Sequence, residues 1–219
     1  MTLMLGFAIH TCGPDLGLAL GDLDGETRHQ TWPLKRELST HLHSLLMEFI
    51  DPYRWQDFSF LAVAQGPGGF TGTRIGVVTA RTLAQQLEIP LFGVSSLAAV
   101  AQRRLAALSQ AERSGNGAGD RTPDIAVEMQ AQRGQLYTAI YRPTAEGLTA
   151  VLPDQVHTPA DWEAALAAHT HPLDRVVAGD DLAATVVQVL ALADQRWRLG
   201  DRPQWSTVVP YYGQHPVDR

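Results

Sequence analysis

The stretch that most constrains this chain runs from Phe58 to Leu87. An apolar run, FSFLAVA, passes directly into Gln65-Gly66-Pro67-Gly68-Gly69-Phe70-Thr71-Gly72 and then into a segment with helical spacing, Thr73 to Leu87, closed by Pro90. Strand, glycine loop and helix in that order make the local unit of an α/β fold. Gly66, Gly68, Gly69 and Gly72 can take positive φ or let another backbone come close, and Thr71 is placed to cap the helix. Such a loop could cradle a phosphate at a helix N-terminus. On spacing alone a structural turn is the favoured reading, because no Lys-Ser/Thr pair follows the glycines as in a P-loop.

The rest of the chain repeats that alternation. Apolar runs to Ile9 and over Leu16 to Leu20, then Thr27 to Trp32, read as strands. Leu38, Leu42, Leu45, Leu46, Phe49 and Ile50 form a helical stripe ended by Pro52. Leu91 to Val94 reads as a strand, and Ser95 or Ser96 starts an alanine-rich helix to about Ala111. Arg113 to Pro123, RSGNGAGDRTP, has no apolar anchor and is expected to be an exposed connection. It divides an N-terminal lobe, residues 1–112, from a C-terminal lobe and tail, residues 113–219. The second half reads as strands over Asp124 to Met129, Gln135 to Tyr141 and Leu148 to Val156, a helix after Pro159, a strand at Arg175 to Ala178 and a helix from Asp181. Both halves begin strand-rich and continue with helix and strand, which suggests a duplicated lobe.

Composition narrows the chemistry. Of 219 residues 45% are hydrophobic, enough for a real core, and 17 Lys+Arg against 23 Asp+Glu leave a net charge of −6. An acidic chain lacks the cationic footprint of an unaided nucleic-acid binder. The single cysteine, Cys12, cannot form an internal disulfide, and a reducing cytosol fits. The amino-terminal apolar run has no basic region and is too short to span a membrane. His41 and His43, like His169 and His171, are two apart and on a helix would point to different faces, so no metal site is expected. There is no G-x-S-x-G elbow, and no catalytic residue is assigned. Glu128, Gln130, Gln132 and Arg133 form a polar group read as a solvated hairpin tip. Gly72, Gly76, Ala80 and Ala84 recur every four residues and leave one helix row bare, suited to close packing against this chain or another.

Residues 66 to 101, GPGGFTGTRIGVVTARTLAQQLEIPLFGVSSLAAVA, resemble the signature segment of the TsaB (YeaZ) family, a GPGSFTGxRIG loop and helix followed by P-x-x-GVSSL. LGFAIHTCGPDLGLAL, STHLHSLLMEFI and IAVEMQAQRGQLYTAIYR resemble that family's first hairpin, first helix and second-lobe strand pair. The resemblance covers about the first 142 residues. It implies an α/β, actin-like (ASKHA, ribonuclease H-like) two-lobed fold with a duplicated mixed sheet. It also implies a non-catalytic partner of TsaD, which transfers a threonylcarbamoyl group to adenosine 37 of tRNAs that read A-starting codons, with TsaE as a further partner.

Under this resemblance the subunit contact falls on Leu42, Leu45, Leu46 and Phe49 of the first helix and on Gly72, Ile75, Gly76, Thr79 and Leu83 of the helix after the loop. The same surface would form a homodimer when TsaD is absent, tRNA would be met through the complex, and no cofactor is required beyond ADP or ATP at the partner interface. Three departures stand out. His10 replaces an Asp, and an imidazole cannot stand in for a hard oxygen ligand of magnesium. An Asp-Ala-Arg hairpin becomes Glu128 to Arg133, and Tyr211-Tyr212-Gly213 replaces Tyr-Leu-Arg. The rival readings are a kinase-like ATPase, with Asp15, Asp22 or Asp180 as the needed carboxylate, a nucleotide-binding regulator, and an M22-type glycoprotease.

Overall fold

The computed structural model describes residues 4–22, 25–114 and 122–213. Most of the expected connection, residues 115–121, and the end of the tail, residues 214–219, lie outside the described residues. Among those described, no helix is long and apolar enough to cross a membrane.

One sheet holds β1 (Leu5–His10), β2 (Leu16–Asp22), β3 (Thr27–Trp32), β4 (Phe58–Ala64) and β5 (Leu91–Val94), in the order β3-β2-β1-β4-β5. β2 runs antiparallel to β1 and β3, whereas β1, β4 and β5 are parallel. Every residue of β1 is buried, as expected of a central strand covered on both faces. Leu5, Phe7 and Ile9 point to the face that carries α1 (Leu38–Ile50) and α2 (Phe70–Leu87). There Phe7 lies among the rings of Phe49, Trp55 and Phe58, with centroids 5.3–6.3 Å away. α1 turns Leu38, Leu42, Leu46, Phe49 and Ile50 to the sheet, the i, i+4 spacing of a helical stripe. Arg28 closes its C-terminal end by donating to the carbonyls of Asp51, at 2.8 Å, and Phe49.

The opposite face, on which Gly6 alternates with Phe7, is covered by α5 (Val186–Arg198). Val186, Val189, Leu190 and Ala193 of α5 are buried, Leu190 lies over Gly6, and Trp197 stacks on Phe60 at 5.2 Å.

A second sheet holds β6 (Asp124–Gln130), β7 (Leu136–Thr144), β8 (Gly147–His157) and β9 (Leu173–Ala178), ordered β8-β7-β6-β9. β7 is antiparallel to both neighbours and β9 parallel to β6. This is the order and sense of β3-β2-β1-β4, so the duplication expected from the sequence is present in the topology. α4 (Pro159–Ala168) lies on this sheet through Trp162, packed with Ala126 and Ile140. Thr158 caps it, accepting from the Asp161 N–H at 3.2 Å.

The chain forms two compact units, Met1–Ser96 with Asp180–Tyr212, and one built on Leu97–Gly179. The expected division into residues 1–112 and 113–219 is therefore corrected. α3 (Ser96–Ser114) belongs, but for its first residue, to the second unit, and α5 and the segment after it return to the first. The reason is the open face of the first sheet, which α5 covers together with the turn Leu182–Thr185 before it, whose Ala183 lies against Gly17.

Candidate functional site

β1 ends at His10, and the turn Thr11-Cys12-Gly13 that follows is where the glycine loop lands. The Gly69 N–H donates to the Cys12 carbonyl at 2.7 Å, and the Thr11 hydroxyl donates to the Gly72 carbonyl at 2.8 Å. A Cβ on Gly68 would collide with the Cys12 carbonyl, one on Gly72 with the Thr11 carbonyl and one on Gly76 with the Thr11 hydroxyl. The bare helix row is thus filled by this chain's own turn. Gly66, at φ +108°, is covered from the other side by the Tyr211 carbonyl, and the Tyr211 N–H donates to the Gln65 carbonyl at 2.7 Å.

The loop's glycines serve close backbone packing, the arrangement of a structural turn, and the Gly69 N–H has its acceptor in the Cys12 carbonyl. One expectation is corrected. Thr71 does not cap α2: the helix starts at Phe70, and the capping position is Gly69 with no side-chain bond.

His10 is fully enclosed. Its Nδ1 accepts from the Cys12 N–H at 3.3 Å, which places the ring proton on Nε2, and burial pulls its pKa down to about 3. At neutral pH the imidazole is uncharged, and its Nε2 has no hydrogen-bond partner among the described residues. The Cys12 thiol is buried too and donates to the Ala64 carbonyl at 3.2 Å; burial pushes its pKa up, away from nucleophilic thiolate. Of the carboxylates weighed for an ATPase, Asp180 is exposed and brings only its backbone carbonyl to Gly13, Asp15 is half-buried at the turn, and the side chain of Asp22 lies outside the described residues.

Among the described residues no three His, Cys, Asp or Glu side chains are grouped to hold a metal. His169 and His171 do meet, on one carboxylate. His169 Nε2 lies 2.9 Å from Asp124 Oδ2 and His171 Nδ1 3.5 Å from Oδ1, while Arg142 donates to both oxygens at 2.9 and 2.7 Å. Burial alone would raise the Asp124 pKa, but the Arg142 fork and the His169 bond outweigh it and hold the carboxyl below its ordinary value.

The expected solvated tip is corrected in part. Gln132, Arg133 and Gly134 are exposed, but Glu128 is buried beneath α4, where it accepts from Trp162 Nε1 and from Arg175 at 2.9 Å. β6 points Asp124, Ala126 and Glu128 to the same side, a period-two signal that reading the segment as a tip overlooked.

The interface residues separate. Leu42, Leu46, Phe49 and Gly76 are buried within this chain, and Gly72, half-buried, has its Cα against the Thr11 carbonyl. Leu45, Ile75, Thr79 and Leu83 are half-buried. The residues that present apolar surface are ones the sequence reading did not select: Met47 at 59% exposure, Val78 at 53% and Phe70 at 41%. Phe70 carries the ring of Tyr212 at 4.5 Å, so the carboxy-terminal segment borders the same face.

Comparison with known proteins gives this arrangement a class. The family model described as "TsaD: tRNA N6-adenosine threonylcarbamoyltransferase" matches residues 36–188. Two solved structures of YeaZ-type proteins from Pseudomonas aeruginosa superpose with TM-scores of 0.72 and 0.68, over 97% and 96% of this chain and all of theirs, at 20% identity. Fold, glycine loop and family model together define a duplicated α/β protein of the TsaD-model family.

A Bacillus subtilis protein named "tRNA threonylcarbamoyladenosine biosynthesis protein TsaB" is 38% identical over 160 residues, 71% of this chain and 62% of its own length. An Escherichia coli protein of the same name is 37% identical over 92 residues, 42% of this chain and 35% of its own. The chain belongs to the family of that model and, within it, to the TsaB (YeaZ) family.

Proposed function

We propose that this chain is a non-catalytic subunit in the biosynthesis of threonylcarbamoyladenosine on tRNA, docking through α2 and the exposed side of α1 onto a TsaD-type transferase. The observation that carries the reading is the filled glycine loop. Where an enzyme of this fold would need an open phosphate cradle and a carboxylate, the chain has its own Thr11–Gly13 backbone packed on the glycines and an uncharged, enclosed His10. What it offers instead is apolar side chains left at the surface, Phe70, Ile75 and Val78 on α2 and Met47 on α1, of the kind that marks an interaction surface. On this reading TsaE joins the pair, tRNA is met through the complex, two copies associate when the transferase is missing, and ADP or ATP enters only at the subunit interface. The work is done in the cytoplasm.

The test mixes the chain with the TsaD-type subunit of the same organism and reads mass by light scattering after gel filtration. Val78→Glu is the interface variant, because Val78 is exposed and its fold cost is small. A one-to-one complex for the wild type, lost in Val78→Glu with the circular dichroism unchanged, is the expected result. A complex that survives Val78→Glu removes α2 from the interface, and no complex at all overturns the reading.

A further inference from the structure

We infer that Arg74 selects the partner of the α2 face, by pairing with a carboxylate that a different chain supplies and a second copy of this chain does not bring on α2. The inference rests on the docking reading above and concerns its specificity.

Arg74 is exposed and makes no hydrogen bond, ion pair or ring contact among the described residues. It lies one turn from Phe70 and one turn from Val78, so its neighbours along the row are the two most exposed apolar residues of α2, with the Tyr212 ring against Phe70 extending the apolar border. No Asp or Glu occurs from Phe70 to Leu87. The only other cation of the helix, Arg81, is committed to the Trp205 ring, 5.5 Å from its centroid. In a chain with a net charge of −6, this face is locally positive and apolar.

A partner that covers Phe70 and Val78 also takes water from Arg74. A guanidinium enclosed without an acceptor is strongly disfavoured, so the covering surface must provide one, and a carboxylate fits its planar fork with two parallel hydrogen bonds. A second copy meets this demand poorly. In a two-fold pair the same patch contacts itself, so α2 against α2 sets guanidinium near guanidinium with no carboxylate on either helix. The single carboxylate of α1, Glu48, would have to reach across from another element. The face is therefore built for an apolar surface of another protein that carries an acidic residue within it.

Arg74→Gln and Arg74→Glu, compared with wild type and Val78→Glu, separate this inference from the reading it rests on. Affinity for the TsaD-type subunit is measured by titration calorimetry at 50 and 300 mM NaCl, and self-association by sedimentation. Arg74→Gln is expected to weaken the complex about tenfold and flatten its salt dependence, and Arg74→Glu to weaken it further, while self-association stays equal or tightens. Equal affinity of wild type and Arg74→Glu, with Val78→Glu still disruptive, overturns the role of Arg74 and leaves the docking face standing. Loss of self-association in Arg74→Glu with the mixed complex intact overturns it as well. A complex indifferent to Val78→Glu removes the docking face itself.

Discussion

At the residue scale His10 couples the stability of the first unit to pH. Its pKa falls from the ordinary 6.5 to about 3 in the fold because burial excludes the charged ring. Between those values the unfolded chain binds a proton that the folded chain does not, so stability is fully present above pH 6.5 and is lost as pH falls toward 3. The 3.5-unit gap corresponds to at most about 5 kcal/mol. His10→Asn keeps an oxygen to accept from the Cys12 N–H and removes the titration. Urea unfolding at pH 7 and pH 4 is therefore expected to show a smaller acid loss in His10→Asn than in wild type, by about 2–3 kcal/mol over that span. Equal acid losses would mean that the ring is charged or solvated in the fold. The same enclosure explains why the position tolerates an imidazole. The resemblance to the TsaB family implies an Asp here; burial is what shifts the His10 ring, and among the described residues no charged group adds to it.

At the scale of elements, the second sheet is tied to its helix by carboxylates as well as by the apolar packing around Trp162. Among the described residues α4 buries Trp162 alone, and both ends of that packing are polar: Trp162 Nε1 donates to Glu128, and His169, just past the helix, bonds Asp124. Asp124→Asn removes the charge and keeps only one acceptor oxygen, setting an amide NH2 against a donor of Arg142 or His169, and is expected to cost about 1–2 kcal/mol at pH 7. Because the native carboxyl titrates below its ordinary value, its contribution is present above pH 4 and disappears as pH falls through the lowered native value. The difference between variant and wild type should shrink on acidification, read from chemical unfolding monitored at Trp162. A gap that persists at pH 3 would assign it to packing rather than charge.

The elements themselves were legible in the sequence, because their periods are local. The α1 stripe, the strand Phe58–Ala64 and the helix ending at Leu87 were all marked by spacing and by prolines. The partners were not legible. Spacing shows that Gly72 and Gly76 leave a bare row but not that Thr11, about sixty residues earlier, fills it. Likewise the resemblance implies a subunit contact at Leu42 and Phe49, and only the sheet beneath them shows that their own core takes that face first. The residues left over for a partner, Phe70, Val78 and Met47, are off the main stripe, where apolar residues carry no periodic signal.

At the scale of the molecule, the first unit is discontinuous in sequence. Residues 1–96 supply the five strands and two helices of one face, but Gly6, Phe60 and Phe92 on the other face meet Leu190, Trp197 and Arg196 of α5. Val208 then adds a buried side chain to the core under α2, and Tyr211 closes the glycine loop. The segment 97–179 is inserted between these pieces, and it carries a sheet and the helices α3 and α4 of its own. Residues 1–96 alone are expected to expose the Phe60 and Phe92 rings and to aggregate, since that much bare apolar sheet is not stable in water. Joining residues 1–96 to 180–212 through a flexible Gly/Ser linker of roughly ten residues restores the covering helix at a modest loop-closure cost. That minimal chain should be monomeric or dimeric in gel filtration, unfold cooperatively, and bind the TsaD-type subunit, because α1 and α2 with Arg74 and Val78 all lie in it. Cooperative unfolding without binding would locate part of the docking surface in residues 97–179. An unfolded product would mean that the first unit depends on the inserted one.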